Sequence, residues 1–270
     1  NFSDPKVFLR RRAAAYQAYF EHMPVRLGPD PAQPSQMRIH DRLAWGQLAD
    51  VWTLDCRQYR DHQACPDPNR GGGRVVVGCD ALADPARSML GMAQEQWFTE
   101  GLTRSTRRWK LVAQSTQMSS SGVNTPLGRS AFTDGWDGYP QARARLLATV
   151  ADAGLSNVVM LGGDVHMNVA AQLRVQANDE RSPVVASEIV TTSITSRGLG
   201  EKLLAQIRDS NPDIVHARSD ERGYTLLEVK PEGISAEFRT TPNPALADGV
   251  FKVQAKLGIR SGVAGVHKDG

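Results

Sequence analysis

A carboxylate and an imidazole stand two residues apart at the end of an apolar run. The run from Val158 to Leu161 is rich in β-branched residues, which predicts a buried strand, and Gly162 and Gly163 follow it. If the chain stays extended, side chains two apart point to one face, so Asp164 and His166 converge beyond the strand. Both are ligands for hard and borderline metal ions, which makes them a candidate metal site. The alternative is a solvated aspartate beside a hydrogen-bonded histidine.

Two arginines and a tyrosine follow another strand-like run. They are Arg57, Tyr59 and Arg60. A guanidinium group matches the oxygens of phosphate or carboxylate, so these residues are candidate substrate ligands. The alternative is a pair of surface arginines that form ion pairs with Asp55 or Asp61.

Two further segments carry polar groups that would serve a binding site. The segment TTSITSRG offers the hydroxyls of Ser193 and Ser196 before a predicted helix, where free backbone N–H groups hold anions. Its alternative is simple helix capping by Ser196. The segment DGWDGY, residues 134–139, is either an aromatic wall or a turn that starts a helix.

The composition is that of an ordinary globular protein. The chain has 270 residues, of which 40% are hydrophobic and 23% are charged, and its formal charge is +3. A charge this small gives no reason to expect a nucleic-acid partner or binding to an anionic membrane. No apolar run is long enough to predict a transmembrane segment.

The cysteines form an odd set. Cys65 and Cys79 bracket a segment rich in Pro and Gly that would gain from a covalent link, whereas Cys56 lies at the end of an apolar run. We therefore predict a disulfide between Cys65 and Cys79, with Cys56 buried and free. The alternative is a pair of unrelated reduced thiols. A disulfide would imply export from the cytosol.

Periodicity predicts alternating helices and strands, and hence one α/β domain with no internal repeat. A long loop is expected from Ser119 to Trp136. The residues beyond Pro242 are expected to wrap over the surface or fray. The predicted helices cover Pro5–Glu21, Leu90–Leu102, Gln141–Ala153 and Leu199–Arg208. The predicted strands cover Leu43–Leu54, Trp109–Ser115, Val158–Leu161, Val184–Ile194, Tyr224–Val229 and Ile234–Thr240, the last two as a hairpin.

A catalytic metal site needs more ligands than Asp164 and His166 supply. Such sites usually have at least three protein ligands, and two-metal sites have more. None of the other histidines stands in a cluster with ligand-like spacing. Those histidines are His22, His40, His62, His216 and His267. Half of the site is therefore expected to come from elsewhere.

Eight segments in order resemble the C-terminal half of the PhoD-type alkaline phosphatases. This branch of the metallophosphoesterases includes phospholipase D-like phosphodiesterases. The segments are RRAAAYQAYFEHMPVR, WGQLADVWTLDCRQYRDHQAC, LGMAQEQWF, WKLVAQST, DGWDGYPQARARLL, LGGDVHMNVAA, SEIVTTSITSRG and RGYTLLEV. Single segments are weakly specific, but eight in family order are specific.

The resemblance implies a metallophosphoesterase fold, a four-layer α-β-β-α sandwich of which this chain supplies the C-terminal half. Residues 1–240 would be the C-terminal portion of that domain and residues 241–270 a tail. Asp164 and His166 would be metal ligands, and the cofactors would be two or more ions of iron, calcium, zinc or manganese. The family's other ligands lie in motifs ahead of the RRAAAYQAY-like helix and have no counterpart here. We therefore expect an N-terminal polypeptide of the same precursor as partner, giving a heterodimer.

The implied function is a secreted, metal-dependent phosphoester hydrolase. A phosphodiesterase acting on glycerophosphodiesters or phospholipid head groups is the first hypothesis, and an alkaline phosphomonoesterase is its alternative. In both, Arg57 or Arg60, with Tyr59 and Ser193 or Ser196, would orient the phosphate oxygens. A hypothesis from another class is a non-catalytic subunit with a degenerate metal site.

Overall fold

The computed structural model describes residues 4–26, 28–246 and 248–268. The chain divides into two compact units, with the boundary between Asp41 and Arg42. No helix within these ranges is both long and apolar enough to cross a membrane.

The first unit contains one long helix, α1, over Pro5–His22. Its N-terminus is capped by Asp4, whose carboxylate accepts a hydrogen bond of 2.8 Å from the backbone N–H of Lys6. Proline at the first position suits the helix start because its missing N–H would have no partner there. The predicted helix is confirmed to within one residue, but α1 buries none of its side chains.

The second unit holds the remaining helices and the strands. Its helices are α2 (Met92–Arg104), α3 (Pro140–Asp152) and α4 (Glu201–Ser210). The strands are β1 (Asp41–Trp45), β2 (Ala49–Thr53), β3 (Val75–Val77), β4 (Trp109–Ala113), β5 (Asn124–Thr125), β6 (Gly128–Phe132), β7 (Val158–Gly162), β8 (Asn168–Arg174), β9 (Val184–Val190), β10 (Ile214–Arg218), β11 (Arg222–Val229), β12 (Gly233–Thr241), β13 (Lys252–Arg260) and β14 (His267–Lys268). The first of these strands starts at the last residue of the first unit.

The largest sheet has seven strands in the order β1-β2-β4-β7-β9-β8-β10. Strands β2, β4, β7 and β9 are parallel neighbours, whereas β8 and β10 pair antiparallel. A four-stranded sheet has the order β11-β12-β13-β14, and a three-stranded sheet has the order β3-β6-β5. The fold is therefore mixed α/β, as predicted.

Two hydrophobic cores lie on opposite faces of the seven-stranded sheet. On one face, Phe98 of α2 and Leu146 of α3 pack against Trp52 and Met160. On the other face, the four-stranded sheet packs through Phe238 and its neighbours against residues of β4 and β7. Both faces of the central strands are covered, which explains why these strands read as continuous apolar runs. The order of layers in this unit is helices, seven-stranded sheet, four-stranded sheet; the four-layer arrangement stays a prediction.

The cysteine predictions are confirmed. A disulfide joins Cys65 to Cys79 across a sequence separation of 14 residues, and Cys56 is a buried free thiol. Burial raises the pKa of the Cys56 thiol, so little of it is in the reactive thiolate form. Cys56 is therefore a core residue.

Some element predictions were wrong. The single strand expected over Leu43–Leu54 is two strands, because the chain reverses at Gly46, where φ is +54°. The loop expected over Ser119–Trp136 contains β5 and β6, which form a sheet with β3. The residues after Pro242 contain β13, which pairs along most of β12. The adjoining strands β8 and β10 were not predicted.

Candidate active site

The predicted site residues lie at one edge of the seven-stranded sheet. Arg57 follows β2, Asp164 and His166 follow β7, and Ser193 follows β9; Ser121, which the sequence did not single out, follows β4. Because these four strands are parallel neighbours, their carboxyl ends share an edge. Crevices at such edges are the usual ligand sites of open α/β sheets.

The turn after β7 is not extended. Asp164 has φ +70° and His166 has φ +57°, both in the left-handed region. The backbone N–H of Val165 donates to the carbonyl of Gly163 at 2.8 Å, so the chain makes a tight turn centred on Asp164. The alternation argument that joined the two side chains was therefore wrong, although both line one cavity. Left-handed backbone at non-glycine residues is strained and is concentrated at functional sites.

Gly162 allows the backbone next to this turn to pack closely against a neighbouring segment. A Cβ atom at Gly162 would lie 2.4 Å from the carbonyl oxygen of Thr116, a distance that real Cβ atoms do not reach. Only glycine therefore allows β7 to run so close to the segment after β4. The expected close backbone approach at the glycine pair is found at Gly162, whereas a Cβ at Gly163 would meet nothing within 4 Å.

His166 is held by a backbone carbonyl. Its Nδ1 lies 3.0 Å from the carbonyl oxygen of Arg197, and a carbonyl can only accept. In the neutral imidazole, Nδ1 therefore carries the proton and Nε2 has the lone pair. This is the arrangement that metal-binding histidines usually show.

A buried arginine fixes the backbone around His166. The guanidinium of Arg222 donates to the carbonyl of His166 at 3.2 Å and to Ser193 Oγ at 2.9 Å. It also donates to the carbonyls of Ser196 and Ser219. Arg222 is the first residue of the RGYTLLEV segment, but nothing in the sequence indicates that its side chain reaches back to the β7 turn.

Arg57 and Arg60 meet a carboxylate far away in sequence. Arg57 donates to Asp134 at 2.8 Å, and Arg60 donates to the Asp134 carboxylate at 2.9 Å and to its carbonyl at 2.8 Å. Arg57 also lies 3.7 Å from the carboxylate of Asp164. Arg57, Arg60 and Asp134 thus form one charged cluster with Asp164, a predicted metal ligand. Sequence reasoning missed Asp134, because a separation of 77 residues between partners leaves no local pattern.

The ion pairs lower the pKa of Asp134. Burial alone would raise it, but the hydrogen bonds and charges of Arg57 and Arg60 outweigh that effect.

Asp55 and Asp61, the alternative ion-pair partners considered for these two arginines, have other roles. Asp55 accepts backbone N–H groups of Arg57 and Gln58, and Asp61 accepts that of Ser88.

The other candidate residues are Tyr59, Ser193 and Ser196. Tyr59 is 43% exposed and does not line the cavity described below. Ser193 donates its hydroxyl to the carbonyl of Ser196, in the loop that holds His166. The residue at the N-cap of α4 is Gly200, so the capping alternative for Ser196 was wrong. Substrate binding by the tyrosine and the serines stays a prediction.

The segment 134–139 is a turn and not an aromatic wall. Trp136 and Tyr139 are both 1% exposed and belong to the core, and residues Trp136–Gly138 form a short 3-10 turn before α3. Its second aspartate, Asp137, accepts the backbone N–H of Ser121 at 2.9 Å. The segment therefore supports the site through both of its aspartates.

A buried glutamate holds the loop after β4. The Glu188 carboxylate accepts the backbone N–H of Met118 at 2.5 Å and that of Ser119 at 2.8 Å. Burial raises the pKa of this carboxyl despite those hydrogen bonds. Two residues further along this loop is Ser121, which lines the cavity.

A cavity of about 490 Å³ opens beside these groups. Its polar lining comes from Ser121, Ser130, Asp134, Asp164 and His166, and its remaining walls are mainly apolar. The volume is within the range of small-molecule sites. Within the described residues, no three His, Cys, Asp or Glu side chains are close enough to hold a metal ion. Asp164 and His166 would thus supply part of a ligand set.

Fold and site together define an α/β protein with a mixed polar and apolar cavity beyond the carboxyl ends of parallel strands. The chain matches the PhoD-like phosphatase family over residues 1–238 and belongs to that family. It is 36% identical over 266 residues to alkaline phosphatase D of Bacillus subtilis (strain 168), a match that covers 97% of this chain and 44% of that protein. A solved structure described as the structure of PhoD superposes with a TM-score of 0.88 at 34% identity, covering 100% of this chain and 51% of that one.

These comparisons confirm the resemblance found in the sequence. They also show that the chain spans about half the length of the relatives it matches.

The Asp134 ion pairs predict a pH-dependent contribution to folding. Because the pKa of Asp134 is lowered in the folded state, its stabilisation is complete above the unfolded pKa, about 3.9, and is lost as pH falls through the folded pKa. Replacing Asp134 by Asn should lower the free energy of unfolding by about 1.5 kcal/mol at pH 7, as for a lost hydrogen bond to a charged group. The loss should shrink below about pH 4. Urea denaturation at a series of pH values measures it.

The matched control is Asp179→Asn. Asp179 also pairs with an arginine at 3.0 Å, but Arg181 is 91% exposed, so solvent screens the pair. The assignment would be contradicted if Asp134→Asn left the free energy of unfolding unchanged at pH 7, or lowered it by the same amount at every pH.

Proposed function

We propose that this chain forms part of a metal-dependent phosphoester hydrolase. The observation that carries the proposal is that Asp164 and His166 line one strand-end cavity, with Arg57 lying 3.7 Å from the Asp164 carboxylate. Membership of the PhoD-like phosphatase family and the likeness to an alkaline phosphatase D support it.

Asp164 and His166 would hold a metal ion. The two side chains fit such a role, because the Asp164 side chain is 39% exposed beside the cavity and His166 has its lone pair on Nε2. A bound ion would lower the pKa of a water molecule and offset charge on phosphate oxygens. Two or more ions are proposed, chosen from iron, calcium, zinc and manganese.

Arg57 is the better placed of the two arginines to orient a phosphate. Its side chain is 42% exposed and lies between Asp134 and Asp164, whereas that of Arg60 is 17% exposed and is held by both the carboxylate and the carbonyl of Asp134. The Arg57 guanidinium would donate to non-bridging oxygens, and Asp134 would keep it aimed at the cavity. Arg60 would act by fixing Asp134.

The described residues supply only two of the expected ligands, and the relatives are about twice as long. We propose that the remaining ligands come from an N-terminal polypeptide of the same precursor, which with this chain gives a heterodimer. A denaturing gel with mass mapping of the native, active preparation is expected to show sequence from that segment. A preparation that contains this chain alone and is fully active would contradict the proposal.

We propose a secreted, extracellular location. The disulfide between Cys65 and Cys79 supports it, because disulfides persist mainly in oxidising compartments.

His166→Ala tests the hydrolase proposal. Loss of the imidazole should lower kcat by at least about 100-fold, as expected when a metal ligand or an electrostatic group of the transition state is removed. It should also lower the metal content of the purified complete protein. His62→Ala is the control, because His62 lies outside the cavity lining. Wild-type activity and metal content in His166→Ala would contradict the site. Wild-type protein without metal or activity would favour the alternative, a non-catalytic subunit with a degenerate metal site.

Within the hydrolase class, we propose a phosphodiesterase acting on glycerophosphodiester or phospholipid-type substrates, with an alkaline phosphomonoesterase as the alternative. The size of the cavity supports the diester, because space remains beyond Asp164 and His166 for a second alcohol group. The bis(4-nitrophenyl) ester should therefore have a higher kcat/KM than 4-nitrophenyl phosphate. A preference for the monoester by the same enzyme preparation would select the alternative.

A further inference from the structure

Three segments of the chain meet at the side chain of Arg222, the first residue of β11. The residue is 6% exposed. Its guanidinium donates at 3.2 Å to the carbonyl of His166, in the turn after β7, and also to the carbonyls of Ser196 and Ser219. Carbonyl oxygens carry partial negative charge, so a cation among three of them stabilises their close approach. Arg222 therefore holds together stretches of backbone that are far apart in sequence.

The oxygens that accept from Arg222 carry no formal charge. Besides the three carbonyls, the guanidinium donates to Ser193 Oγ at 2.9 Å. Asp220, whose charge acts on Arg222, pairs instead with Arg218 at 2.5 Å. Buried arginines are usually paired with a carboxylate. Here the guanidinium serves as a set of directed N–H donors for loop oxygens, a role that its five donors in a planar fork make possible.

The contacts of Arg222 fix the imidazole of His166 from two sides. One contact is to the carbonyl of His166 itself. Another is to the carbonyl of Ser196, which adjoins Arg197, and the Arg197 carbonyl lies 3.0 Å from His166 Nδ1. Arg222 thus holds both the backbone that carries the imidazole and the backbone that carries its hydrogen-bond acceptor. Because the bond made by one ring nitrogen sets the protonation of the other, these contacts select the tautomer with the proton on Nδ1.

The loop after β9 packs too closely for other donors to replace the guanidinium. A Cβ atom at Gly198 would lie 2.6 Å from the carbonyl oxygens of both His166 and Ser219, the same two carbonyls that accept from Arg222. Without these N–H groups, buried carbonyls would lack partners. The loop could restore its hydrogen bonds only by moving outward to water, which would carry the Arg197 carbonyl away from His166.

We propose that Arg222 is a positioning residue for His166, which it holds as the Nδ1-protonated tautomer with Nε2 available to bind a metal ion. The metal part of this inference rests on the proposed function, whereas the tautomer is a property of the chain itself. Partners that orient a metal-binding histidine typically contribute 10- to 100-fold in metal affinity.

Arg222→Lys tests the inference in the complete natural protein. Lysine keeps the charge but presents it as a compact ammonium, which cannot donate in all the directions that the fork serves. The matched control is Arg174→Lys. Arg174 is 16% exposed and donates to Asp213 at 2.8 Å and to the carbonyl of Ser182, away from the His166 turn. Both substitutions should lower the free energy of unfolding, but only the first should affect His166.

The first measurement is ¹⁵N NMR of metal-free protein labelled at histidine, at about pH 8.5, where an ordinary imidazole is neutral. His166→Ala identifies the His166 signals. Wild-type protein and Arg174→Lys should show the proton on Nδ1, and Arg222→Lys should show a mixture of tautomers. Ser193→Ala is a milder second variant, because it removes one acceptor of Arg222 and the hydroxyl that binds the Ser196 carbonyl. It should shift the tautomers in the same direction.

The second measurement is the dissociation constant for Mn²⁺, obtained by titrating the metal-free proteins. Arg222→Lys should raise it about 10- to 100-fold, and Arg174→Lys should leave it at the wild-type value. A wild-type His166 with its proton on Nε2 would overturn the inference. So would wild-type tautomers in both Arg222→Lys and Ser193→Ala, or equal losses of Mn²⁺ affinity in Arg222→Lys and Arg174→Lys. If the tautomer changes as expected but wild-type protein binds no metal ion, the proposed function fails and the positioning of His166 by Arg222 stands.

Discussion

The parallel pairing of β2, β4, β7 and β9 is the constraint on which the site depends. Backbone hydrogen bonds fix the register of these strands, so the segments after them leave the sheet at one edge. That edge brings Arg57, Asp164 and Ser193 together from positions more than a hundred residues apart at the extremes. The cores on both faces hold the strands in place, and the loops supply the polar groups.

The backbone near the edge is crowded in a way that only small residues permit. A Cβ at Gly162 would collide with the carbonyl of Thr116, and one at Gly198 would lie 2.6 Å from the carbonyl of His166. The two close approaches flank the left-handed turn at Asp164 and His166. Arg222 and the Arg197 carbonyl then fix the histidine. These contacts hold the turn in its strained conformation.

The sequence was most informative about local properties. The Asp164 and His166 pair, the disulfide and the buried central strands were all found from composition and short spacing, although the reason given for the pair assumed extended backbone. Long-range contacts left no such pattern. Asp134 depends on arginines more than seventy residues away, and β6 depends on pairing with β3. Serine- and glycine-rich strands carry little hydrophobic alternation, so only the tertiary partner shows that they are strands.

The balance of charges at the site indicates that the proposed activity would require a bound cation. Two guanidinium groups, Arg57 and Arg60, face two carboxylates, Asp134 and Asp164, so the cluster is close to neutral when all four are ionised. A phosphate group arriving at a neutral cluster would gain little Coulombic energy and would compete with carboxylates for the same arginine donors. A cation held by Asp164 and His166 would offset the carboxylate and free Arg57 for the substrate. The arrangement of charges therefore links the proposed metal and the proposed phosphate position: Arg57 would be free to bind a substrate phosphate if a metal ion offset the charge of Asp164.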